Sequence, residues 1–334
     1  MQNSIPKEYR LSPVAEVDSE LCVNCHKCIS VCPVKYCNDG SKDYVTINHD
    51  TCIGCGECIS ACTHDARKYV DDFKCFIDDV IAGEKIVAVT APAAAASFPN
   101  EYLQLNSFLK ELGADAVFDV SFGAELTIKS YYDYLQSESV RTMIAQPCPA
   151  IVNYIEIYRP ELIKYLAPVE SPIGHTVQMI KNFYPEYRDH KIAVISPCIA
   201  KKREFDDTGT GNYNIGILSL KKFFTDNNIT LSDYPESDYD NPAAERAAMF
   251  STPGGLLKTL KARMPDADEN TRKIEGVNTI YHYLSRLDEN IKAGNSPLLI
   301  DCLSCENGCN QGPLTDTKHQ SPDETDGLIK ERTQ

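Results

Sequence analysis

The chain has 334 residues, 43% of them hydrophobic, with 15 cysteines and a formal net charge of −15. Such a length holds a small module plus one or two ordinary hydrophobic cores. The acidic balance argues against nucleic-acid binding, because phosphate contacts need a basic footprint. No apolar run approaches the ~20 residues that span a bilayer, so we expect a soluble, globular protein without a membrane span.

Two copies of one cysteine pattern lie near the N-terminus. The first reads Cys22-Val-Asn-Cys25-His-Lys-Cys28-Ile-Ser-Val-Cys32, and the pattern returns from Cys52 to Cys62. This C-x2-C-x2-C-x3-C spacing is that of bacterial ferredoxins, in which three thiolates bind one 4Fe-4S cube and the fourth reaches the cube of the other repeat. The predicted ligand sets are Cys22, Cys25, Cys28 and Cys62 for cluster 1, and Cys52, Cys55, Cys58 and Cys32 for cluster 2.

Other uses of these cysteines fit less well. Zinc ribbons use two C-x2-C pairs per ion and would leave the third cysteine of each triplet idle. Disulfides are disfavoured because residues 1–13 are polar and lack the apolar segment of a signal peptide. We therefore expect reduced thiols in a cytoplasmic protein. Cys37 and Cys75 are predicted to be packing thiols, and His26 and His64 surface residues.

After residue 82 the pattern changes to short apolar runs that alternate with amphipathic stretches, which is typical of an α/β fold with parallel strands. Strands are predicted at residues 85–90, 116–120, 142–145, 191–195, 214–218 and 297–300, and helices at 101–112 and 256–262. The predicted domains are a ferredoxin-like module at 1–82, an α/β domain at 83–314, and a polar tail or the start of a linker at 315–334.

Four further cysteines follow predicted strands. Cys148 follows the strand that ends at residue 145, Cys198 the strand that ends at 195, and Cys305 and Cys309 the strand that ends at 300. Each alone is more often a small buried hydrophobe than a ligand. Because ligands collect at the carboxyl ends of parallel strands, the sequence predicts that the four converge on one four-thiolate site.

The segments around these cysteines resemble the three H-cluster motifs of the FeFe-hydrogenase family. They are Pro147-Cys148-Pro149, residues 196–204 and residues 305–312. Shorter segments resemble the family in the same order along the chain: Thr90-Ala91-Pro92, residues 122–128, residues 159–162, Ser171-Pro172 and Gly254-Gly255. The resemblance runs from about residue 20 to residue 312 and implies an α/β domain of two lobes with parallel-rich sheets.

The resemblance implies a third 4Fe-4S cube, held by Cys148, Cys198, Cys305 and Cys309. It also implies that Cys309 bridges to a di-iron subsite that carries CO, cyanide and a bridging dithiolate once matured. Lys201 matches the family lysine that donates a hydrogen bond to a cyanide, and Glu204 keeps its motif position. Ala91, Pro92, Gly254 and Gly255 would line the pocket, and Gly308 would let the backbone approach the cube.

The departures from the family concern proton transfer. Catalytic members carry a cysteine before the first ligand, and it passes protons through a glutamate, a serine and a second glutamate. Pro147 takes the cysteine position, and the same count places Tyr131, Ala167 and Tyr134 in the other three. These residues relay protons poorly or not at all at neutral pH. Ser196 and Leu303 stand where methionine is usual, and Asp301 where glutamate is usual. Carboxylates that could serve another route are Glu125, Asp133, Glu156, Glu170 and Glu204.

These substitutions resemble the sensory branch of the family. We expect an H2-responsive oxidoreductase that converts H2 slowly and reversibly to protons and electrons. The electrons would pass through the two ferredoxin-type cubes to a redox partner such as ferredoxin, or to a signalling protein. The alternative is a non-catalytic iron-sulfur protein, similar to the cluster-assembly factors that lack the di-iron subsite.

Overall fold

The computed structural model describes residues 11–137 and 140–332. Most of the polar segment noted at residues 1–13, and the last two residues of the predicted tail, lie outside the described residues. Within the described part, no helix combines the length and apolar character needed to cross a membrane.

The N-terminal module consists of two similar halves that exchange strands. Its elements are β1 Ala15–Val17, α1 Lys27–Ser30, β2 Asn38–Asp39, β3 Thr46–Ile47, α2 Glu57–Ser60 and β4 Arg67–Tyr69. Strand β1 pairs antiparallel with β4, and β2 pairs antiparallel with β3. Each pair therefore joins one repeat to the other, which explains how the fourth cysteine of a repeat can reach the cluster of its partner.

The two short helices begin in the same way. Residue His26 precedes α1 with φ 63°, and Gly56 precedes α2 with φ 85°, so each repeat turns through the left-handed region just before its third cysteine. The glycine meets this requirement without strain, whereas the histidine does so at some cost. The turn reverses the chain within the repeat and directs its cysteines towards one centre.

A four-stranded parallel sheet forms the first lobe of the larger domain. Its strands are β5 Ile86–Thr90, β6 Ala114–Asp119, β8 Lys191–Ser196 and β9 Tyr213–Gly216, in the order β6-β5-β8-β9. The surrounding helices are α3 Phe73–Ile81, α4 Ala94–Ser97, α5 Tyr102–Leu112, α6 Val120–Ser137, α8 Pro172–Phe183, α9 Lys201–Thr208 and α10 Ile217–Asn227.

Both faces of this sheet are covered by helices. Ile86 and Ala88 face a core shared with α3, α5 and α10, while the alternating Val87 and Val89 face a core shared with α8. All four side chains are fully buried. A continuous apolar run is what a parallel strand with two covered faces requires.

A three-stranded parallel sheet forms the second lobe. Its strands are β7 Met143–Ile144, β10 Thr271–Glu275 and β11 Leu299–Leu303, in the order β10-β11-β7. Helices α7 Pro149–Tyr158, α11 Gly255–Leu260 and α12 Val277–Lys292 accompany it. The prediction of an α/β fold with parallel-rich sheets in two lobes is confirmed.

Two predictions about elements differ from the structure. Strand β10 was missed because its sequence, Thr-Arg-Lys-Ile-Glu, has no apolar run, and only its pairing with β11 makes it a strand. The strand predicted at 214–218 ends at Gly216, where α10 begins.

The predicted polar tail needs a larger correction. Residues 322–331 form helix α13, Pro322–Glu331, whose capping box joins Ser321 and Glu324. Ile329 is fully buried against Ala95 and Ala96, and Arg332 forms an ion pair with Asp119. Ile329 and Thr325, one turn apart, are the buried residues of this helix, whereas Leu328 is half-buried.

Asp301 connects strand β11 to helix α11 and generates a prediction about stability. Its carboxylate is 4% exposed and accepts the Leu257 backbone N–H at 3.1 Å. Burial raises the pKa of Asp301 to about 6 from its ordinary value of 3.8. The protonated form is therefore favoured by folding, and this stabilisation is lost as the pH rises through about 6.

We expect Asp301→Asn to stabilise the fold at neutral pH, by up to about 3 kcal/mol at about 1.4 kcal/mol per pH unit. The gain should be smaller at pH 5 than at pH 7.5, as measured by urea unfolding. The matched control is Asp189→Asn at an exposed carboxylate. A gain that is the same at both pH values would contradict this interpretation of Asp301.

Candidate metal centres

A central cavity lies where the carboxyl ends of strands from both sheets face each other. It is bounded by the segments that follow β5, β7, β8 and β11, and all four motif cysteines contribute to its wall. Most of the other lining residues are apolar. The lining includes Cys148, Cys198, Cys305, Cys309, Ala91, Pro92, Pro147, Ser196, Lys201, Phe250, Ser251 and Leu303.

Local geometry presents each cysteine to this cavity. Cys148 is the residue before α7, and Pro149 begins that helix with a ring that suits the first helical position. Ser196 Oγ accepts the Cys198 N–H at 3.1 Å and so shapes the turn after β8. Gly308 has φ 77°, and a Cβ there would lie 2.5 Å from the Ser251 carbonyl oxygen. Only glycine therefore fits at position 308, directly before Cys309.

Burial raises the pKa of all four central thiols, and that of Cys198 reaches about 12. The charges of these four groups also influence one another, which places them around one common space. Buried thiols of this kind stay protonated unless a metal replaces the proton. A four-cysteine donor set suits iron-sulfur clusters.

Nowhere in the described chain do three such side chains approach closely enough to hold a single metal ion. The four cysteines that line the central cavity fit a 4Fe-4S group in donor type and number.

Among the described residues, Lys201 is the one cationic side chain in the wall of the central cavity, and it is 8% exposed. Its Nζ donates to the Pro147 carbonyl oxygen at 3.3 Å and forms an ion pair with Glu204. Glu204 also accepts a hydrogen bond from Ser171 Oγ. The lysine is thus held at the cavity wall by Pro147 and Glu204, and Ser171 in turn holds Glu204.

The predicted glycines lie behind the wall rather than in it. Gly254, Gly255 and Gly308 are absent from the cavity lining. A Cβ on Gly255 would lie 1.8 Å from the Met249 carbonyl oxygen, so this glycine lets helix α11 pack against the turn that carries Phe250 and Ser251. Ala91 and Pro92, in contrast, line the cavity.

The N-terminal module contains two smaller cavities, which we call the outer and inner cavities. The outer cavity is lined by Cys22, Cys25, Cys28 and Cys62, the four cysteines predicted to bind cluster 1. The inner cavity is lined by Cys32, Cys52, Cys55 and Cys58, the four predicted to bind cluster 2. The fourth cysteine of each repeat lies with the triplet of the other, as the strand exchange requires.

The sequence predicts Cys37 to be a packing thiol, but the structure places it in the wall of a cluster cavity. It lines the inner cavity as a fifth cysteine and is 4% exposed. Its thiol lies near those of Cys32 and Cys52, and its interaction with them lowers the pKa of both. The signal in the sequence is the repeat itself, because Cys37 is equivalent to Arg67, which lines the outer cavity.

The inner cavity adjoins the central one. Ile199 lines the inner cavity, while the preceding residue, Cys198, lines the central cavity. The packing between the two sites leaves little room, because a Cβ on Gly56 would lie 2.4 Å from the Pro313 Cβ. Asn153 Nδ2 donates to the Ile53 carbonyl oxygen at 3.1 Å and ties helix α7 to the same loop.

The residues at the family's proton-relay positions are unsuited to that role here. Tyr131 is fully buried, its Oη accepts the Gln146 N–H at 3.3 Å, and burial raises its pKa well above the ordinary value. Pro147 lines the cavity without a titratable group. Ala167 lines a separate cleft on the other side of Glu204.

That cleft is rich in carboxylates, and we call it the acidic cleft. It is lined by Glu156, Glu170, Glu204 and Asp207. Burial, together with the charge of Asp207, raises the pKa of Glu156. Of the other carboxylates that the sequence offered, Glu125 accepts the backbone N–H groups of Arg246 and Ala247, and Asp133 forms an exposed ion pair with Lys129.

Residues 84–313 match the family model described as the C-terminal domain of the iron-only hydrogenase large subunit. The chain belongs to the iron-only hydrogenase family. Residues 15–35 and 45–68 match the 4Fe-4S binding domain, which confirms the iron-sulfur nature of the N-terminal module.

Several characterised proteins are similar to this family member. The NADP-reducing hydrogenase subunit HndD of Solidesulfovibrio fructosivorans is 24% identical over 94% of this chain and 58% of its own length. Iron hydrogenase 1 of Clostridium pasteurianum is 27% identical over 52% of this chain and 34% of its own length. The cytosolic Fe-S cluster assembly factor narfl of Danio rerio is 30% identical over 36% of this chain and 35% of its own length. The chain thus spans 58% of the length of HndD and about a third of the length of the other two proteins.

Solved structures show the same fold. Two variants of the FeFe-hydrogenase HydA1 from Chlamydomonas reinhardtii align with TM-scores of 0.57 and 0.59, at 19% and 18% identity. They cover 76% and 78% of this chain, and 88% of their own chains. At this level of identity the likeness concerns the fold alone.

The five cysteines of the inner cavity generate a prediction. If Cys32 is the fourth ligand and Cys37 only donates a hydrogen bond, Cys37→Ala should keep both 4Fe-4S clusters of the module, whereas Cys32→Ala should lose or convert one. Iron and sulfide content, with EPR spectra of the reduced protein, measures this. Loss of a cluster in Cys37→Ala with full retention in Cys32→Ala would exchange the two roles.

Proposed function

We propose that this iron-only hydrogenase family member binds H2 at a centre in the central cavity and oxidises it slowly and reversibly. The electrons leave through 4Fe-4S clusters in the inner and outer cavities. The observation that carries the proposal is the gathering of four motif cysteines and Lys201 around one buried cavity, one residue away from a second cysteine-lined cavity.

Cys148, Cys198, Cys305 and Cys309 would hold a 4Fe-4S cube, and Cys309 would also attach the di-iron subsite. When bound, this group supplies the metal chemistry that splits H2 and takes up its electrons. The protein supplies a mostly apolar wall that keeps water away from the centre, and charged donors strengthen their interactions in such surroundings.

Lys201 would act as the cationic donor in this wall. An ammonium group forms strong hydrogen bonds to anionic ligands, and its position is set by Pro147 and Glu204. Because Lys201 is the first residue of α9 and follows Cys198 by three residues, one short segment positions both side chains.

The proton route would run from Lys201 to Glu204 and then to the acidic cleft. Glu204 is the residue that joins the two spaces, because it contacts the cavity-lining Lys201 and itself lines the cleft. Glu156 and Asp207 stand at the exposed part of the cleft, and partial desolvation of their carboxyl groups, with neighbouring acidic groups, raises the pKa of both. Raised carboxylate pKa values favour proton exchange closer to neutral pH.

Slow turnover follows from the residues that are missing at the usual relay. The route through an ion pair is less favourable than one through a free acid, because Glu204 must exchange a proton while it is bound to Lys201. A protein that senses H2 needs only enough electron transfer to reduce its clusters, and it does not need fast catalysis. Val23 and Cys25 are exposed beside the outer cavity, where a redox or signalling partner could receive electrons.

Substitution of Glu204 tests the proton route. We expect Glu204→Gln to slow H2-driven reduction of the clusters by about 10- to 100-fold, because the amide cannot exchange a proton. Bleaching of the visible iron-sulfur absorbance under H2 measures the rate. Asp133→Asn removes a carboxylate from an exposed ion pair and should leave the rate unchanged. Equal rates in wild type and Glu204→Gln would rule out this route.

A non-catalytic iron-sulfur role is the second candidate, and the 30% identity to an Fe-S cluster assembly factor over part of the chain favours it. Infrared spectra of protein matured with the di-iron subsite decide between the two. Hydrogenase chemistry predicts CO and cyanide bands that respond to H2 and that are absent from Cys309→Ala. If matured wild type shows no such bands, the assembly-type role is the better account.

A further inference from the structure

Two buried arginines flank the cavities of the N-terminal module, and neither makes an ion pair with a described carboxylate. Arg67 is 5% exposed and lines the outer cavity. Its Nη2 donates to Cys28 Sγ at 3.0 Å. Its Nη1 is buried and finds no hydrogen-bond partner among the described residues. One edge of this guanidinium is thus directed at the predicted cluster ligands, and one donor remains unused.

Arg203 lies beside the inner cavity without lining it, and its charge acts on Cys52, which does line it. It is 1% exposed and belongs to helix α9 of the larger domain. Its Nε donates to the Ser12 carbonyl oxygen at 3.0 Å, and its Nη atoms donate to the carbonyl oxygens of Cys52 and of His49, the latter at 3.2 Å. Burial raises the pKa of Asp207 and the charge of this guanidinium partly offsets that rise, but the two described side chains form no ion pair.

A buried cation without a counter-ion is strongly unfavourable, and proteins rarely keep one unless an anion is present. A 4Fe-4S cube with four thiolates is such an anion, and reduction adds one more negative charge. The guanidinium groups and the two cavities therefore complement each other. Hydrogen bonds to cluster sulfurs and nearby charge are among the factors that set the reduction potential of a cube.

We propose that Arg67 raises the reduction potential of cluster 1 and that Arg203 raises that of cluster 2. Each arginine stabilises the reduced, more negative form of its neighbour. The two clusters thereby become better electron acceptors, which favours electron flow away from the central cavity. This inference rests on the proposed iron-sulfur occupancy of the two cavities, and it is independent of whether the central cavity reacts with H2.

The arginines also account for an asymmetry between the two repeats. Arg67 occupies the place in the second repeat that Cys37 occupies in the first. Cluster 2 therefore has a neutral thiol where cluster 1 has a cation, and its positive charge comes from Arg203 in the larger domain. The link between the domain and the inner cluster is thus electrostatic as well as steric.

The test is a redox titration of the full chain with its iron-sulfur clusters, monitored by EPR and carried out without H2. In Arg67→Gln we expect the midpoint of cluster 1 to fall by about 59 mV, equivalent to a tenfold change in its oxidised-to-reduced ratio. Arg203→Gln should lower the midpoint of cluster 2 by a similar amount. In each variant the other cluster should keep its midpoint.

Charge-conserving and remote substitutions serve as controls. Arg67→Lys and Arg203→Lys should keep both midpoint potentials close to the wild-type values, since the positive charge remains. Arg263→Gln removes an exposed arginine outside all three cavities and should change neither midpoint. If a glutamine variant loses its cluster by iron analysis, a wild-type-like midpoint in the lysine variant supports the proposal, and a fall in that variant opposes it.

Two results would overturn the proposal: midpoints that stay the same in both glutamine variants, or equal shifts of both clusters in each single variant. Wild-type protein that shows no 4Fe-4S signal at all after reconstitution would instead remove the proposed function. Normal clusters with unchanged midpoints would remove only the role of the arginines.

Discussion

The whole arrangement depends on four cysteine sulfurs that come from three distant segments and line one cavity. Parallel strands from two sheets end at this cavity, and the turns that follow them carry Cys148, Cys198, Cys305 and Cys309. Burial disfavours the thiolate form of each. The fold therefore concentrates thiols that lose their protons only to a metal centre, and the apolar wall around them excludes the water that would otherwise compete.

Helix α9 contributes side chains to the central cavity and to the two sites beside it, the inner cavity and the acidic cleft. Within one turn it places Lys201 at the central cavity, Arg203 beside the inner cavity and Glu204 at the acidic cleft. A short helix can do this because successive side chains point in different directions around its axis. Proton and electron exchange with the centre would thus share one structural element, and a displacement of α9 would affect both.

Much of this could be predicted from the sequence, where the signal was local. Cysteine spacing predicted which residues would share the outer and inner cavities, and strand-end positions predicted that Cys148 and Cys198 would meet. The sequence could not show that Gly254 and Gly255 lie outside the cavity wall, because a motif indicates proximity to a site but not which of its residues line the cavity. Strand β10 and helix α13 depend on tertiary pairing and on single apolar contacts, which periodicity does not reveal. Arg203 was missed because nothing in a run of charged residues marks the one that is buried.

The most direct test is X-ray diffraction at the iron absorption edge on crystals of the protein with its clusters. The account predicts three separate iron centres, with the sulfurs of Cys148, Cys198, Cys305 and Cys309 each bonded to iron of the central one. An iron-free central cavity in protein whose other two centres are full, or a central cluster that leaves any of these four sulfurs unbonded, would contradict it.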